Sequence, residues 1–399
     1  MSRLARRAEV IKLARLLRVD PSTLSKLSDL DATDLRTFRQ QAQARLFDAD
    51  EARLKRVALA SKLLPVPLIA LIGEHVFGAL RCARVAGLIA PDRAAEVTLR
   101  LKTEFLADVT LEIDPRHVRE VIARIPIPKL VEVALVLARR GEFVTLARFV
   151  DYVSTDAIRA VMEQLTDNAA LLQIAFFMED KSRLNELVGL LPEARLRDII
   201  IVAADESRDL WAEALALMSE VDDRWRKHLG ELAAGLDDRV LLSMARAAQT
   251  QKLWGALLPI IALLERVHQQ RLLQLPVLRE VPMLEAVLDA ADSEGLWDRL
   301  LPLLPLLDEP AQQALALAAE RLGDAGFNRV FEAVQAGREW GPLLVLLLRL
   351  RSQTQDRLRP LIAKLSPETA RPLLREADQL GVMDRVDALW QRLALGRPA

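Results

Sequence analysis

Apolar residues recur with a period of 43 positions in the second half of the chain. Tryptophan stands at positions 211, 254, 297 and 340, and the next step reaches Met383. Residues three, seven and ten positions after each of these anchors are also apolar, and this spacing traces one face of a helix. We therefore predict an anchor helix, defined as a helix that begins at one of these five positions.

Each 43-residue unit has room for about three helices. Apolar positions nine and ten residues before each anchor predict a helix that ends in a turn, where Gly295 and Gly381 can adopt the left-handed conformation. Asp308, Glu309 and Pro310 have the pattern of a helix start, with a capping residue ahead of a first-turn proline. Upstream of Trp211 the period is degenerate, and prolines 65, 67 and 91 bracket an apolar helical hairpin over residues 68–89.

Composition agrees with an all-helical fold. Of the 399 residues, 51% are hydrophobic and only 4% aromatic, and Val and Ile do not alternate with polar residues as they do in half-buried strands. The net charge is −1, which argues against a nucleic-acid-binding protein. A single cysteine, Cys82, excludes an intramolecular disulfide, and we expect a cytoplasmic protein because no signal peptide stands out.

A single 43-residue unit cannot bury its apolar stripe alone, whereas stacked units form a continuous core. Over residues 125–395 the period and the helix count resemble an α-helical superhelix of the armadillo or HEAT kind. The segment 92–125, with a helix start at Asp114-Pro115, is similar to the helical intracellular domain of bacterial magnesium transporters. We divide the chain into charged N-terminal helices (1–60), an apolar hairpin with short helices (61–124) and a helical-repeat superhelix (125–399).

The anchor helices are apolar on more than one face, as in the run Leu300 to Leu307, and mean hydropathy is +0.14 despite 28% charged residues. A helix that is apolar all round is buried on all sides. It is therefore either the middle layer of three or the wall of a dry cavity. The cavity alternative predicts an apolar lining of Leu257, Leu258, Ile261, Leu300, Leu301, Leu304, Leu343, Leu344 and Leu347.

The cavity alternative implies a lipid or fatty-acid-like ligand, with Arg349, Arg351 and Arg357 as candidates for binding an anionic head group. The combination resembles bacterial α/α-superhelical lipid-binding proteins. We accordingly expect a non-enzymatic lipid-binding protein. The alternative is a protein-interaction scaffold that uses the concave surface of the superhelix.

The first 26 residues form a second candidate site, because they hold seven basic side chains and two acidic ones. A basic amphipathic helix can lie on an anionic membrane surface, which would make the protein peripheral at the membrane. The alternative is a helix that caps the superhelix and exposes its basic face to solvent.

Other polar patterns predict less. Gln269, Gln312 and Gln355 share one register and form either a polar ladder for a peptide or the polar start of a helix. The tryptophans form either a stacking ladder for a ligand or the core between units. His75, His117, His228 and His268 lack the spacing of a metal pair, and no catalytic motif stands out, so we expect neither a metal, nor a cofactor, nor an enzyme.

Overall fold

A computed structural model describes residues 3–48, 51–337, 340–363 and 367–393. Within these ranges the structure contains 27 α-helices joined by turns, and no β-strand, which confirms the all-α fold. The chain divides into two compact units, Met1–Leu191 and Pro192–Ala399. This boundary differs from the divisions at residues 60 and 124 that we placed from the sequence.

Unit 1 is built from thirteen short helices. They are α1 Arg3–Leu17, α2 Ala32–Asp48, α3 Glu51–Ser61, α4 Val66–Ile72, α5 Gly78–Ala86, α6 Pro91–Arg100, α7 Thr103–Glu112, α8 Arg119–Ile122, α9 Ile127–Arg139, α10 Phe143–Phe149, α11 Thr155–Gln164, α12 Asn168–Phe177 and α13 Leu184–Gly189. Tight 3₁₀ turns cover Pro21–Asp29, Pro115–Val118 and Val150–Tyr152, and a wide π turn covers Gly73–Phe77.

Unit 2 continues with fourteen helices. They are α14 Glu193–Ala204, α15 Trp211–Glu220, α16 Asp223–Ala234, α17 Asp238–Gln251, α18 Trp254–Leu263, α19 Arg266–Leu273, α20 Val281–Glu294, α21 Trp297–Leu300, α22 Glu309–Ala319, α23 Asp324–Gly337, α24 Trp340–Leu347, α25 Ser352–Ile362, α26 Pro367–Gln379 and α27 Met383–Arg392. Further 3₁₀ turns cover Glu206–Arg208, Pro276–Arg279 and Leu301–Leu306.

In unit 1, helices two apart along the chain pack against each other. One row runs from α3 through α5, α7 and α9 to α11, and a second row joins α4, α6 and α8. Ala70, Leu106 and Leu137 belong to a buried cluster that links α4, α7 and α9. Because each of these helices is short, this packing supplies the stability that its own hydrogen bonds cannot.

In unit 2, a helix begins at each of the five predicted anchors: α15, α18, α21, α24 and α27. Consecutive anchor helices are in contact from α15 to α18 and from α18 to α21, and α24 packs on the segment Leu301–Leu306 that follows α21. The four anchor tryptophans are buried, which confirms that they belong to the core. Pro302 and Pro305 explain why α21 gives way to a 3₁₀ turn, since proline removes hydrogen-bond donors from a helix.

The predicted helix boundaries also hold. Gly295 and Gly381 follow the ends of α20 and α26 with φ of 70° and 65°, in the left-handed region that favours glycine. The Asp308 side chain accepts a hydrogen bond from the Ala311 amide at 2.9 Å, and so caps α22.

Glutamines in the shared register stabilise the end of the preceding segment rather than facing a ligand. Gln269 donates to the carbonyl of Ile261 at 3.1 Å, Gln312 to that of Leu307 at 2.8 Å and Gln355 to that of Leu347 at 2.7 Å. Carbonyls at the end of a helix lack intrahelical partners, so each glutamine satisfies a group that would otherwise need water.

The N-terminal helix α1 is docked onto unit 1. Val10, Leu13 and Ala14 are buried, and α1 packs on α2. Arg15 pairs with Glu142, and Arg18 Nη2 lies 2.6 Å from Glu112 Oε1. Of the apolar residues Leu4, Ile11, Leu16 and Leu17 that suggested membrane contact, Ile11 and Leu16 are half-buried and Leu17 is 42% exposed. Residues 1 and 2 and the side chain of Leu4 lie outside what the structure describes. The contacts of α1 favour the capping alternative.

A buried ion-pair network centred on Glu9 joins α1 to α2. Glu9 Oε1 lies 3.1 Å from Lys12 Nζ, and Glu9 Oε2 lies 3.2 Å from Arg39 Nε. Arg39 Nη2 in turn lies 2.6 Å from Glu179 Oε1. Burial alone raises the pKa of Glu9, but the attraction of Lys12, Arg39 and Arg36 outweighs it and holds the pKa below the ordinary value of 4.5.

Replacing one capping glutamine tests the repeated register. Gln312→Ala removes the bond to the Leu307 carbonyl, and we expect it to lower the free energy of unfolding of unit 2 by about 1 kcal/mol. Gln313→Ala is the matched control, because Gln313 is the exposed neighbour in the same helix. Urea denaturation followed by circular dichroism measures both. Equal effects of the two substitutions would show that the Gln312 side chain caps nothing.

Removing the Glu9 charge tests the docking of α1. Glu9→Gln leaves Lys12 and Arg39 without their shared partner, and we expect the local stability of α1 and α2 to fall by about 3 kcal/mol at pH 7. A carboxyl with a depressed pKa stabilises the fold above its unfolded pKa, and this contribution disappears as the pH falls through the folded value. The protection factors of α1 and α2 in wild type, which correct exchange for its intrinsic pH dependence, should therefore fall below pH 4.5, and those of the variant should fall less. The control is Glu96→Gln, at an exposed acid of the same unit; exchange rates that match in all three proteins would contradict the assignment.

Candidate binding surface

The predicted leucine site consists of tightly packed side chains. Seven of the nine are buried, and Leu343 and Leu344 are 0% exposed, while Leu257 and Ile261 are half-buried. A side chain that no water-sized sphere touches lines neither a groove nor an internal cavity in this conformation. The α21 region contacts α18, α19, α23 and α24, which favours the middle-layer alternative. A ligand role for these leucines stays a prediction.

Two of the three candidate head-group arginines form ion pairs with neighbouring helices. Arg351 Nη1 lies 3.2 Å from Glu320 Oε2, and Arg357 Nη2 lies 2.7 Å from Asp324 Oδ1. Two periods earlier, Arg271 and Asp238 occupy the positions equivalent to Arg357 and Asp324 and pair at 3.3 Å. The Arg357 contact is thus a repeated feature of the fold.

The third candidate, Arg349, bonds within its own segment. Its Nη1 donates to the carbonyl of Val345 at 3.4 Å. Burial, together with the nearby charge of Arg385, lowers the pKa of Arg349. A head-group role for the three arginines stays a prediction.

A small polar cleft in unit 1 is lined by equal numbers of positively and negatively charged side chains. Its lining residues are Arg39, Gln40, Asp114, Pro115, Arg116, Arg148, Asp151, Tyr152 and Glu179. The three arginines meet three carboxylates, and the free volume is about 30 Å³, enough for about one water molecule. Such a cleft is too small for a lipid. No group of three or more His, Cys, Asp or Glu residues within the described ranges is arranged to hold a metal ion.

The apolar hairpin of residues 66–86 is the most exposed apolar part of the described chain. Pro65 and Pro67 start its first arm, and Gly78 ends that arm with φ of 73°. The chain bends sharply at Gly78, because Cys82 Sγ lies 3.6 Å from the Gly73 carbonyl oxygen, nine positions earlier. At the base of the hairpin, Arg93 Nη2 donates to the carbonyl of Ser61 at 2.9 Å and also bonds that of Leu64.

Large apolar side chains face solvent along this hairpin and along the segment just before it. Seven of the sixteen exposed large apolar residues in the described chain lie between positions 59 and 80. We call them the apolar face: Leu59, Leu63, Leu68, Leu71, Val76, Phe77 and Leu80. Leu63 near the base is 87% exposed and Val76 near the Gly78 turn is 67% exposed. Exposed apolar residues that lie close together on a surface typically mark an interaction site, and these seven lie close together along the chain.

The run Val66–Ala86 is long and apolar enough to cross a membrane by length and composition, and only 17% of its most apolar window is buried. It is the one described helix that meets this test. The reversal at Gly78 nevertheless divides it into two arms of about ten residues, and each is shorter than the roughly 20 residues that a bilayer core requires.

We expected the hairpin from its prolines but assigned it no role. The signal available in the sequence was its charge pattern, because residues 54–86 contain five basic residues and one acid, Glu74. Its exposure was not predictable, since apolar residues at helical spacing usually indicate a buried face.

Comparison of the chain with protein families, with curated proteins and with solved structures produced no match. The candidate surface is therefore defined by geometry and chemistry alone: an apolar helical hairpin, exposed at its turn and at its base, on a tightly packed helical unit.

Proposed function

We propose that this chain is a non-enzymatic binding protein that attaches peripherally to a lipid surface through its apolar face. The observation that carries the proposal is the exposure of seven large apolar side chains over 22 consecutive positions. Keeping such side chains in water is costly, and each gains about 1 kcal/mol when about half of it enters an apolar phase.

The shape of the hairpin supports a lipid interface as the occupant. An amphipathic helix at a membrane buries its apolar side only about 5–10 Å into the boundary between head groups and acyl chains. Val76 and Phe77 lie next to the Gly78 turn, and a turn is the part of a hairpin that can enter such a shallow layer. Phe77 adds an aromatic ring at this position.

We further propose that residues 125–399 form an α-helical superhelix of 43-residue repeats, similar to armadillo and HEAT proteins. Support comes from anchor helices that begin every 43 residues and from capping glutamines that recur in one register. The Arg271–Asp238 and Arg357–Asp324 pairs, two periods apart, add to it.

We expected from the sequence that a lipid would lie in an internal cavity. The present proposal instead places a lipid surface against an outer face of the protein. A cavity lined by the nine predicted residues has less support, because Leu343 and Leu344 are fully buried by packing. A protein partner on the apolar face is the competing occupant, and vesicle binding by the purified chain distinguishes the two.

Polar substitutions in the apolar face test the proposal. Leu71→Gln with Val76→Gln removes two exposed apolar side chains, and we expect vesicle affinity to fall about thirtyfold, since each loses about 1 kcal/mol of transfer free energy. Thermal stability should change little, because substitutions at exposed sites have small effects. Sedimentation of full-length protein with phospholipid vesicles measures the affinity.

The matched control is Val267→Gln with Leu380→Gln, which removes two apolar side chains of similar exposure, 63% and 47%, from unit 2. It should bind vesicles like wild type. Equal loss in both variants, or no binding by wild type to any vesicle, would contradict the proposed function.

A further inference from the structure

We propose that the apolar face recognises an anionic lipid surface, through exposed basic side chains at both ends of the hairpin. This inference rests on the proposed function and names the class of lipid. The three basic residues that carry it are Arg56 on α3, Lys62 at the base of the hairpin and Arg81 beside Leu80. All three are exposed.

The only acid of this segment is turned away from solvent. Glu74 is 12% exposed, and its Oε1 accepts a hydrogen bond from the Lys102 backbone amide at 2.7 Å. Its other oxygen lies 3.8 Å from Lys102 Nζ. Because Glu74 is occupied at the start of α7, residues 54–86 present basic side chains to solvent and no exposed acid.

Basic residues elsewhere in unit 1 commonly have acidic partners. Arg124 Nε lies 2.6 Å from Asp92 Oδ1, and Arg140 lies 2.7 Å from Asp108 and 2.6 Å from Glu104. Across the ranges that the structure describes, Arg56, Lys62 and Arg81 have no ion pair. Their charges are therefore uncompensated next to the apolar face, and this arrangement complements a negatively charged surface.

The position of the charges relative to the apolar side chains matches an interfacial site. Lys62 precedes Leu63, the most exposed large apolar residue, and Arg81 follows Leu80. When the apolar side chains enter the layer below the head groups, long basic side chains can extend back to the phosphates. Each basic side chain near such a surface strengthens binding about fivefold at physiological ionic strength.

This hairpin replaces residues 1–26 as the anionic membrane contact considered from the sequence. In α1, Lys12, Arg15 and Arg18 are each paired with a carboxylate, and Val10, Leu13 and Ala14 are buried. At the hairpin, the seven residues of the apolar face and the side chains of Lys62 and Arg81 are exposed.

Charge removal without loss of apolar area tests the inference. Full-length wild type and the Lys62→Gln with Arg81→Gln variant are sedimented with vesicles of phosphatidylcholine alone and of phosphatidylcholine with phosphatidylserine. We expect wild type to prefer the anionic vesicles and the variant to lose about 25-fold in affinity for them, while weak binding to neutral vesicles is unchanged. Raising the salt concentration should reduce the wild-type preference, because ions screen charges at this distance.

The control is Arg239→Gln with Arg266→Gln, which makes the same change in net charge at exposed sites of unit 2. Retained preference in this control, together with loss in the hairpin variant, supports the inference. Equal wild-type binding to neutral and anionic vesicles overturns it and leaves the proposed function standing. Failure to bind either vesicle overturns both, and loss of equal size in the control shows that net charge rather than the hairpin sets the preference.

Discussion

Burial of apolar faces between neighbouring helices is the constraint on which the rest of this structure depends. The described helices are short, with α2 the longest at 17 residues and many near ten. Isolated helices of that length are marginal in water. In unit 2 the four anchor tryptophans are buried, and three capping glutamines satisfy carbonyls where anchor segments end. Both features recur at intervals of 43 residues along unit 2.

The hairpin of residues 66–86 departs from this constraint. Its inner side is held by Ala70 in the core, by the approach of Cys82 to Gly73 and by the bond from Lys102 to Glu74. Its outer side carries leucines, Val76 and Phe77 into solvent. Leucines of unit 2 in similarly apolar runs are buried by packing, so the exposed hairpin cannot be explained by composition alone. An external partner that covers the face resolves the difference, and its basic surroundings favour an anionic lipid surface.

Local features of the fold were predictable from the sequence, whereas the binding surface was not. The tryptophan spacing encodes helix starts, and glycine and Asp-Glu-Pro patterns encode helix ends and caps, because these are interactions within a few residues. Whether Leu343 or Leu71 is buried depends on which helix packs beside it. The pattern of residues nearby in the sequence does not predict the identity of that helix. The same limit applies to α1, whose basic amphipathic sequence is compatible with a membrane but which packs on α2 with Val10, Leu13 and Ala14 buried. The Glu74 carboxylate is held away from solvent by the backbone amide of Lys102, which is 28 positions away in the chain.

The most direct test of this account measures the depth of the apolar face in a bilayer. A Cys82→Ser background leaves no native thiol, and Val76→Cys or Val267→Cys then places an environment-sensitive fluorophore at one of two comparably exposed positions. With anionic vesicles, the account predicts a blue shift at position 76, quenching there by brominated acyl chains, and no change at position 267. An unchanged spectrum at position 76, with the protein bound to the vesicles, would contradict it.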